Sequence, residues 1–320
     1  MNKNALLWRA VDLLLAPAVF LAATVSWLAR RAGIERLPLA RAVFRRVGVF
    51  PVRRHYYEPM FEFSGLRQPL AAERPLPGID LRIEEQLRLV AGFGYADELS
   101  GFPDRGSAEG RGFYFDNGWY GAGDAEFLYS LVRQVKPRRI VEVGSGHSSL
   151  IAAAALARNA QDGATPCRHV CIEPYERPWL EENGIEVIRR PVERVDRNLF
   201  ADLGDGDILF IDSSHIIRPQ GDVLTEILEI LPGLKPGVYV HFHDIFSPRD
   251  YPSRWLADQV LFWNEQYLLE AFLSCNDRFQ VVASLNHLTH HHFPAMAARF
   301  PALAKRGPAA EPAAFWIRSR

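Results

Sequence analysis

Apolar positions along the chain fall into short unbroken runs and longer runs with helical spacing, separated by polar turns. Ile140-Val141-Glu142-Val143, Val170-Cys171-Ile172 and Ile208-Leu209-Phe210-Ile211 have the near-continuous apolar character of strands covered on both faces of a sheet. Helical spacing is expected over 124–135, which Pro137 ends, and over 150–158, which Ser148 or Ser149 can cap. Ala152 to Ala155 keep that second helix thin enough to lie close on a sheet. Residues 222–231 place Val223, Ile227, Leu228 and Leu231 on one stripe that Pro232-Gly233 stops. A short helix at 177–182, strands at 185–188 and 238–242 and a long helix at 254–273 continue the alternation, which predicts a doubly wound α/β sheet. The last two strands, 279–284 and 315–318, are expected to pair with each other. Trp255, Phe262, Trp263 and Tyr267 recur at helical spacing, so packing is favoured over a sugar-stacking platform. His287, His290, His291 and His292 lie within 286–312 without a carboxylate at ligand spacing, and that segment is expected to be a lid or plain loop.

The N-terminal pattern differs. Residues 13–29 are nearly all apolar, with Pro17 inside the run, and Arg30, Arg31, Arg36, Arg41, Arg45 and Arg46 follow with only Glu35 to offset them. A helical span needs about 20 apolar residues, so the segment either spans a bilayer or lies in one leaflet. Its arginines favour anionic lipid and the cytoplasmic side, which places the rest of the chain at the cytoplasmic face of a membrane. The alternative is a buried helical hairpin packed on the protein or on a partner subunit. Residues 49–59 are dense in aromatic and charged groups and are expected to line an acceptor cleft. The aromatic and amide groups of 113–124 are suited to recognising hydroxyls, although turn chemistry explains the glycines there equally well.

The 320 residues are 48% hydrophobic with a formal net charge of −1, ample for a core and unlike the strongly basic domains that bind nucleic acid. Cys167, Cys171 and Cys275 have neither metal spacing nor an even count, which points to a reducing compartment.

Glu142-Val-Gly144-Ser145-Gly146-His147-Ser148-Ser149 reads as a cofactor loop, because its glycines permit a tight turn after a strand and a helix start presents N–H groups to a ligand. Glu173, at the end of the next strand, is placed to bond a ribose hydroxyl pair. The third glycine of the dinucleotide pattern is missing, and an acid so near a pyrophosphate would repel it, so a cationic cofactor without phosphate fits better. Asp212 emerges at the carboxyl end of strand 208–211 with His215 one turn on, where an imidazole of ordinary pKa suits a general base. His243 and Asp244 reach the same edge from the next strand, and with Asp212 they resemble a divalent-metal site. The alternative remains that the two aspartates cap turns and His243 is an edge histidine. His241 is expected to point to the opposite face from His243 and to pack under a helix.

On Glu142 to Ser149, Ile172-Glu173-Pro174, Ile208 to His215 and Leu234-Lys-Pro-Gly-Val-Tyr-Val-His-Phe-His243-Asp244, the chain resembles the class I S-adenosylmethionine-dependent methyltransferases, in particular the small-molecule and sugar O-methyltransferase branch with metal-dependent members. The resemblance covers roughly 121–251. It implies a Rossmann-like, mostly parallel seven-stranded sheet with an antiparallel C-terminal strand, here preceded by a membrane-proximal helical segment. It also implies S-adenosyl-L-methionine as cofactor, contacted by Glu142, Gly144, Ser145, Gly146, His147, Ser148 and Asp212, with Glu173 on the ribose. Mg²⁺ or another divalent metal is implied at Asp212, His243 and Asp244, although His243 stands where relatives often carry an acid.

These readings divide the chain into a membrane-associated segment (1–48), a cap and linker contributing to the acceptor cleft (49–120) and a methyltransferase domain (121–320). The expected activity is O-methylation of a glycan, lipid-linked sugar or other polyhydroxylated metabolite, as in polysaccharide biosynthesis, with His215 and Asp212 catalytic. No nucleic-acid partner is expected, and a homo-oligomer is compatible. The alternative is a non-catalytic, membrane-bound assembly protein with a methyltransferase-like ligand-binding domain. A nucleotide-sugar oxidoreductase would need a dinucleotide loop and a tyrosine–lysine pair, and neither pattern is present.

Overall fold

A computed structural model describes residues 3–106, 112–175 and 179–320. It divides into two compact units, Met1–Pro69 and Leu70–Arg320.

The second unit is built on seven strands: β1 Arg139–Val143, β2 Arg168–Ile172, β3 Glu186–Ile188, β4 Ile208–Ile211, β5 Tyr239–Phe242, β6 Phe279–Ser284 and β7 Phe315–Ser319. Their spatial order is β3-β2-β1-β4-β5-β7-β6. The first five run parallel, and β7 lies antiparallel to both β5 and β6. This is the Rossmann-like sheet with an antiparallel C-terminal strand expected from the sequence. The apolar runs form its centre because helices cover both faces. Phe127, Leu131, Ile151, Phe210 and Trp316 are buried on one side and Leu209, Ile227, Val240, Leu269 and Ile317 on the other. Pairing sets Val143 opposite both Ile172 and Ile211, and Ile211 opposite Phe242, so the carboxyl ends of β1, β2, β4 and β5 finish level. Since β1 neighbours both β2 and β4, a crevice opens at that edge where the strand order reverses.

Four expectations change. Residues 70–120 are not a separate cap. Arg74 donates from its backbone to Pro248 and from its guanidinium to Glu270, the Gln86 amide oxygen accepts from Ser284, and Phe93 packs on Phe127. The segment 286–312 is not a loop; helices Leu285–His291, Phe293–Ala297 and Pro301–Arg306 bury Leu288, Met296, Phe300 and Leu303. Each helix is too short to show a period, and Pro294 and Pro301 sit in first turns, where proline starts a helix. The helix expected over 254–273 breaks into a π-helical turn, Arg254–Asp258, and a helix, Glu265–Leu273. Asn264 holds the break by donating its N–H to the His215 carbonyl and accepting from the Ile217 N–H. Finally, Thr225–Ile230 winds as a π-helix, which rotates Leu228 out of the expected stripe and leaves it exposed.

The first unit contains the helix Lys3–Ala32, longer than the apolar run 13–29 and unbroken at Pro17. Its span Asn4–Ala32 has a mean hydropathy of 1.9 over the most apolar window, none of it buried. Leu13, Leu14 and Phe20 are 76%, 81% and 75% exposed. A second helix, Pro38–Val47, follows and carries Arg41, Arg45 and Arg46.

Candidate active site

The glycine loop is positioned by close approach of two strand ends. Gly144 has φ +78°, and a Cβ there would lie 1.9 Å from the Asp212 carbonyl oxygen. The Asp212 N–H donates to the Val143 carbonyl at 2.8 Å and the Gly144 N–H to that of Ile172 at 3.1 Å, tying the ends of β4, β1 and β2 together. The helix that follows starts at His147, earlier than expected. Its start is tied by Ser149, whose hydroxyl accepts from the Gly146 N–H at 3.2 Å and donates to Glu142 at 2.8 Å.

Glu142 therefore takes a different role from the one expected. It is fully buried beneath the loop, bonded to Ser148, Ser149 and His169, and does not touch the cleft. Burial alone would lower the His169 imidazole, but the Glu142 charge outweighs it and raises the pKa to about 10. The pair locks the loop's underside, because a buried acid needs such partners.

Gly144, Ser145, Gly146, His147, Ser148 and Glu173 line a cleft of about 560 Å³, closed on the far side by Trp255 and Trp263. From Glu173 and Asp212 it continues into a lobe of about 350 Å³ whose walls include Ile172, Pro191 and Val192. From Trp119, His243 and Asp244 it opens into a wider lobe of about 600 Å³ that reaches Arg306. Pro191 and Val192 were not singled out in the sequence, where no motif marks them. Trp255 and Trp263 prove to be cleft residues with rings 5.0 Å apart, and Trp263 packs on His215 at 4.3 Å.

Asp212, His215, His243 and Asp244 meet at the centre. His215 Nε2 lies 3.4 Å from Asp212 Oδ1 and 3.6 Å from Asp244 Oδ2, while its Nδ1 is 2.8 Å from Glu265. His215 and Asp244 both have positive φ, 61° and 57°, and backbone strain of this kind persists only where surrounding structure imposes it. Burial alone would raise the Asp212 carboxyl, but His243 and His215 outweigh it and hold it well below the usual carboxylate range. Burial likewise disfavours a charged His215, but Asp212 and Glu265 raise it well above an ordinary imidazole. The neighbouring carboxylates thus make His215 more basic than an ordinary imidazole.

The expected metal set of Asp212, His243 and Asp244 gains His215 as a further candidate. The donor atoms of Asp212, His215 and Asp244 lie within 4.8 Å of one another. His243 instead sits against Asp124 through Nε2 at 3.7 Å and faces Asp212 and Asp244 through Nδ1 at 3.5 and 3.6 Å. One imidazole nitrogen and two carboxylate oxygens fit a divalent ion, and His215 and His243 each present a nitrogen to both aspartates. His241 shares the face of His243, their rings 5.9 Å apart, and stacks on Phe210 at 3.8 Å. Residues two apart on a strand point the same way, which overturns the expected opposite orientation. Glu265 and Asp124 are additions to the site that come from helices distant in sequence and carried no local signal.

Residues 141–245, from β1 to just beyond Asp244, match the model of a family described as a methyltransferase domain. An uncharacterized protein of Archaeoglobus fulgidus is 30% identical over 180 residues, covering 52% of this chain and 80% of that protein. Residues 141–245 are a methyltransferase domain. Among solved structures, an O-methyltransferase from Bacillus cereus in complex with SAH is similar at 15% identity and a TM-score of 0.37, over 75% of this chain and 91% of that one. TomG from Streptomyces achromogenes, an O-methyltransferase of tomaymycin synthesis in complex with SAM, is similar at 16% identity and 0.37, over 73% and 89%. In this methyltransferase the matched span contains the glycine loop, Glu173, Asp212, His215, His243 and Asp244.

Proposed function

We propose that this methyltransferase transfers the methyl group of S-adenosylmethionine to a hydroxyl oxygen of a polyhydroxylated acceptor, a glycan or lipid-linked sugar. The observation that carries this reading is the convergence of Asp124, Asp212, Asp244 and Glu265 on two imidazoles beside the glycine loop. Such an acidic edge favours a cationic sulfonium and disfavours phosphate. The glycine loop and the helix start at His147 hold the methionine part, Glu173 accepts the ribose hydroxyls, and the apolar lobe at Ile172 and Val192 takes the adenine.

In the transfer the acceptor oxygen attacks the methyl carbon, the carbon–sulfur bond breaks with its electron pair left on sulfur, and the hydroxyl proton passes to the Asp212–His215–Asp244 cluster. Glu265 orients His215 through Nδ1, and Asp124 orients His243. A divalent ion held by Asp212, His215 and Asp244 would lower the pKa of the acceptor hydroxyl. Trp119 and Trp255, on the wall of the wider lobe, offer ring faces on which a sugar stacks. The exposed apolar helix Lys3–Ala32 and the arginines after it support a location at the cytoplasmic face of a membrane, where lipid-linked acceptors are found.

Calorimetric titration with S-adenosylhomocysteine and with NAD⁺, each with and without Mg²⁺, tests the cofactor assignment. Micromolar binding of the former alone is expected; folded protein that binds neither would remove the assignment. Assays of tritiated S-adenosylmethionine against lipid-linked and free glycans then test the acceptor.

A further inference from the structure

Away from the cleft, the segment entering the second unit meets the helix Leu285–His291. Glu73 Oε1 lies 3.0 Å from His287 Nδ1 and 2.7 Å from His291 Nε2. The two histidines are four apart on the helix, so both rings leave the same face, with centroids 4.5 Å apart. The three donor atoms lie within 4.8 Å of one another. We propose that Glu73, His287 and His291 form a second divalent-metal site, selective for Zn²⁺ or a similar first-row transition ion, that clamps the start of the catalytic unit to this helix.

Three features of the surroundings support this. The donor set is two imidazoles and one carboxylate, which suits Zn²⁺, Co²⁺ and Ni²⁺ and is unlike the oxygen-rich shells of Mg²⁺ and Ca²⁺. The donors are held in place before any ion arrives. Arg74, next to Glu73, is fixed by Glu270, Asp250 and the Pro248 carbonyl, while Leu285, Leu288 and Thr289 seat the opposite side of the helix in the core. The site is also accessible, since Glu73 and His291 are partly exposed while His287 is mostly covered. Both nitrogens address one carboxylate oxygen through N–H donors. An ion replaces those two N–H contacts, each ring carrying its proton on the other nitrogen instead.

The site is independent of the Asp212–His215–Asp244 cluster, and its test separates the two. Untagged full-length protein in detergent is stripped with a chelator and titrated with Co²⁺, followed by the visible absorption of the ion, and with Zn²⁺ in competition with a chromophoric chelator. Asp212→Asn is expected to retain one tight equivalent. His291→Ala and Glu73→Gln, both at partly exposed positions that a folded chain tolerates, are expected to weaken that equivalent by more than about 100-fold, beyond the cost of losing an outer partner of a ligand. Zn²⁺ should also raise the Tm of Asp212→Asn but not of Asp212→Asn combined with His291→Ala. Unchanged affinity in His291→Ala and Glu73→Gln, or the loss of every tight equivalent in Asp212→Asn, would overturn the proposal.

Discussion

At Gly144 a single added carbon is enough to disturb the site. Gly144→Ala puts a Cβ against the Asp212 carbonyl at a positive φ, so the ends of β1 and β4 must separate. Binding of S-adenosylhomocysteine should weaken by at least about 10-fold, with a lower Tm, consistent with 1–3 kcal/mol for a strained position; calorimetry and thermal melts measure both. Glu173→Ala removes a charged acceptor of hydrogen bonds, each worth about 1.5–3 kcal/mol, so affinity should fall roughly 10- to 100-fold with the fold intact. Unaltered affinity would place the ribose elsewhere. Asp244→Asn should leave cofactor affinity nearly unchanged and lower kcat by at least about 100-fold, the usual scale of a lost proton-transfer group, as single-turnover methyl transfer would show. Asp212, Asp244 and Glu173 were legible in the sequence because each follows an apolar strand at its carboxyl end. Glu265 and Asp124 were not, because their part in the site depends on how two helices pack against that edge.

Among the elements, β1 and β2 are joined beneath the loop by the Glu142–His169 pair. The folded His169 pKa stands at about 10, above its ordinary 6.5, so the protonated form is bound more tightly by the folded state. Its contribution to stability is fully present below about pH 6.5 and is lost as pH rises through about 10. Wild-type Tm should therefore decline over that interval, whereas His169→Gln should start lower and show a flatter profile; parallel profiles would show that the pair does not couple the two strands. Strand positions were readable because each apolar run is continuous and ends in a turn. The break before Glu265 was not, since Asn264 bonds to the His215 loop, a partner about fifty residues earlier that helical periodicity cannot report.

For the whole molecule, the exposed helix Lys3–Ala32 is the largest uncovered apolar feature among the described residues. At 1.5 Å per residue it extends about 45 Å, more than the roughly 30 Å hydrocarbon core of a bilayer. Full-length protein should sediment with membranes and resist carbonate extraction, while a chain beginning at Leu70 should remain in the supernatant and bind S-adenosylhomocysteine with unchanged affinity. Recovery of full-length protein in the supernatant without detergent would reject the membrane assignment. By itself the sequence determined the order of the strands, the glycine turn and the acids that end β2 and β4, because these follow from local backbone preference and from burial on both faces of a sheet. Only the tertiary structure decided that Glu142 is a buried support, that His215 and His243 both meet the two aspartates, and that Glu73 meets His287 and His291. Each of those outcomes depends on which side chains from distant segments share a few ångströms of space, and that is settled by packing rather than by sequence spacing.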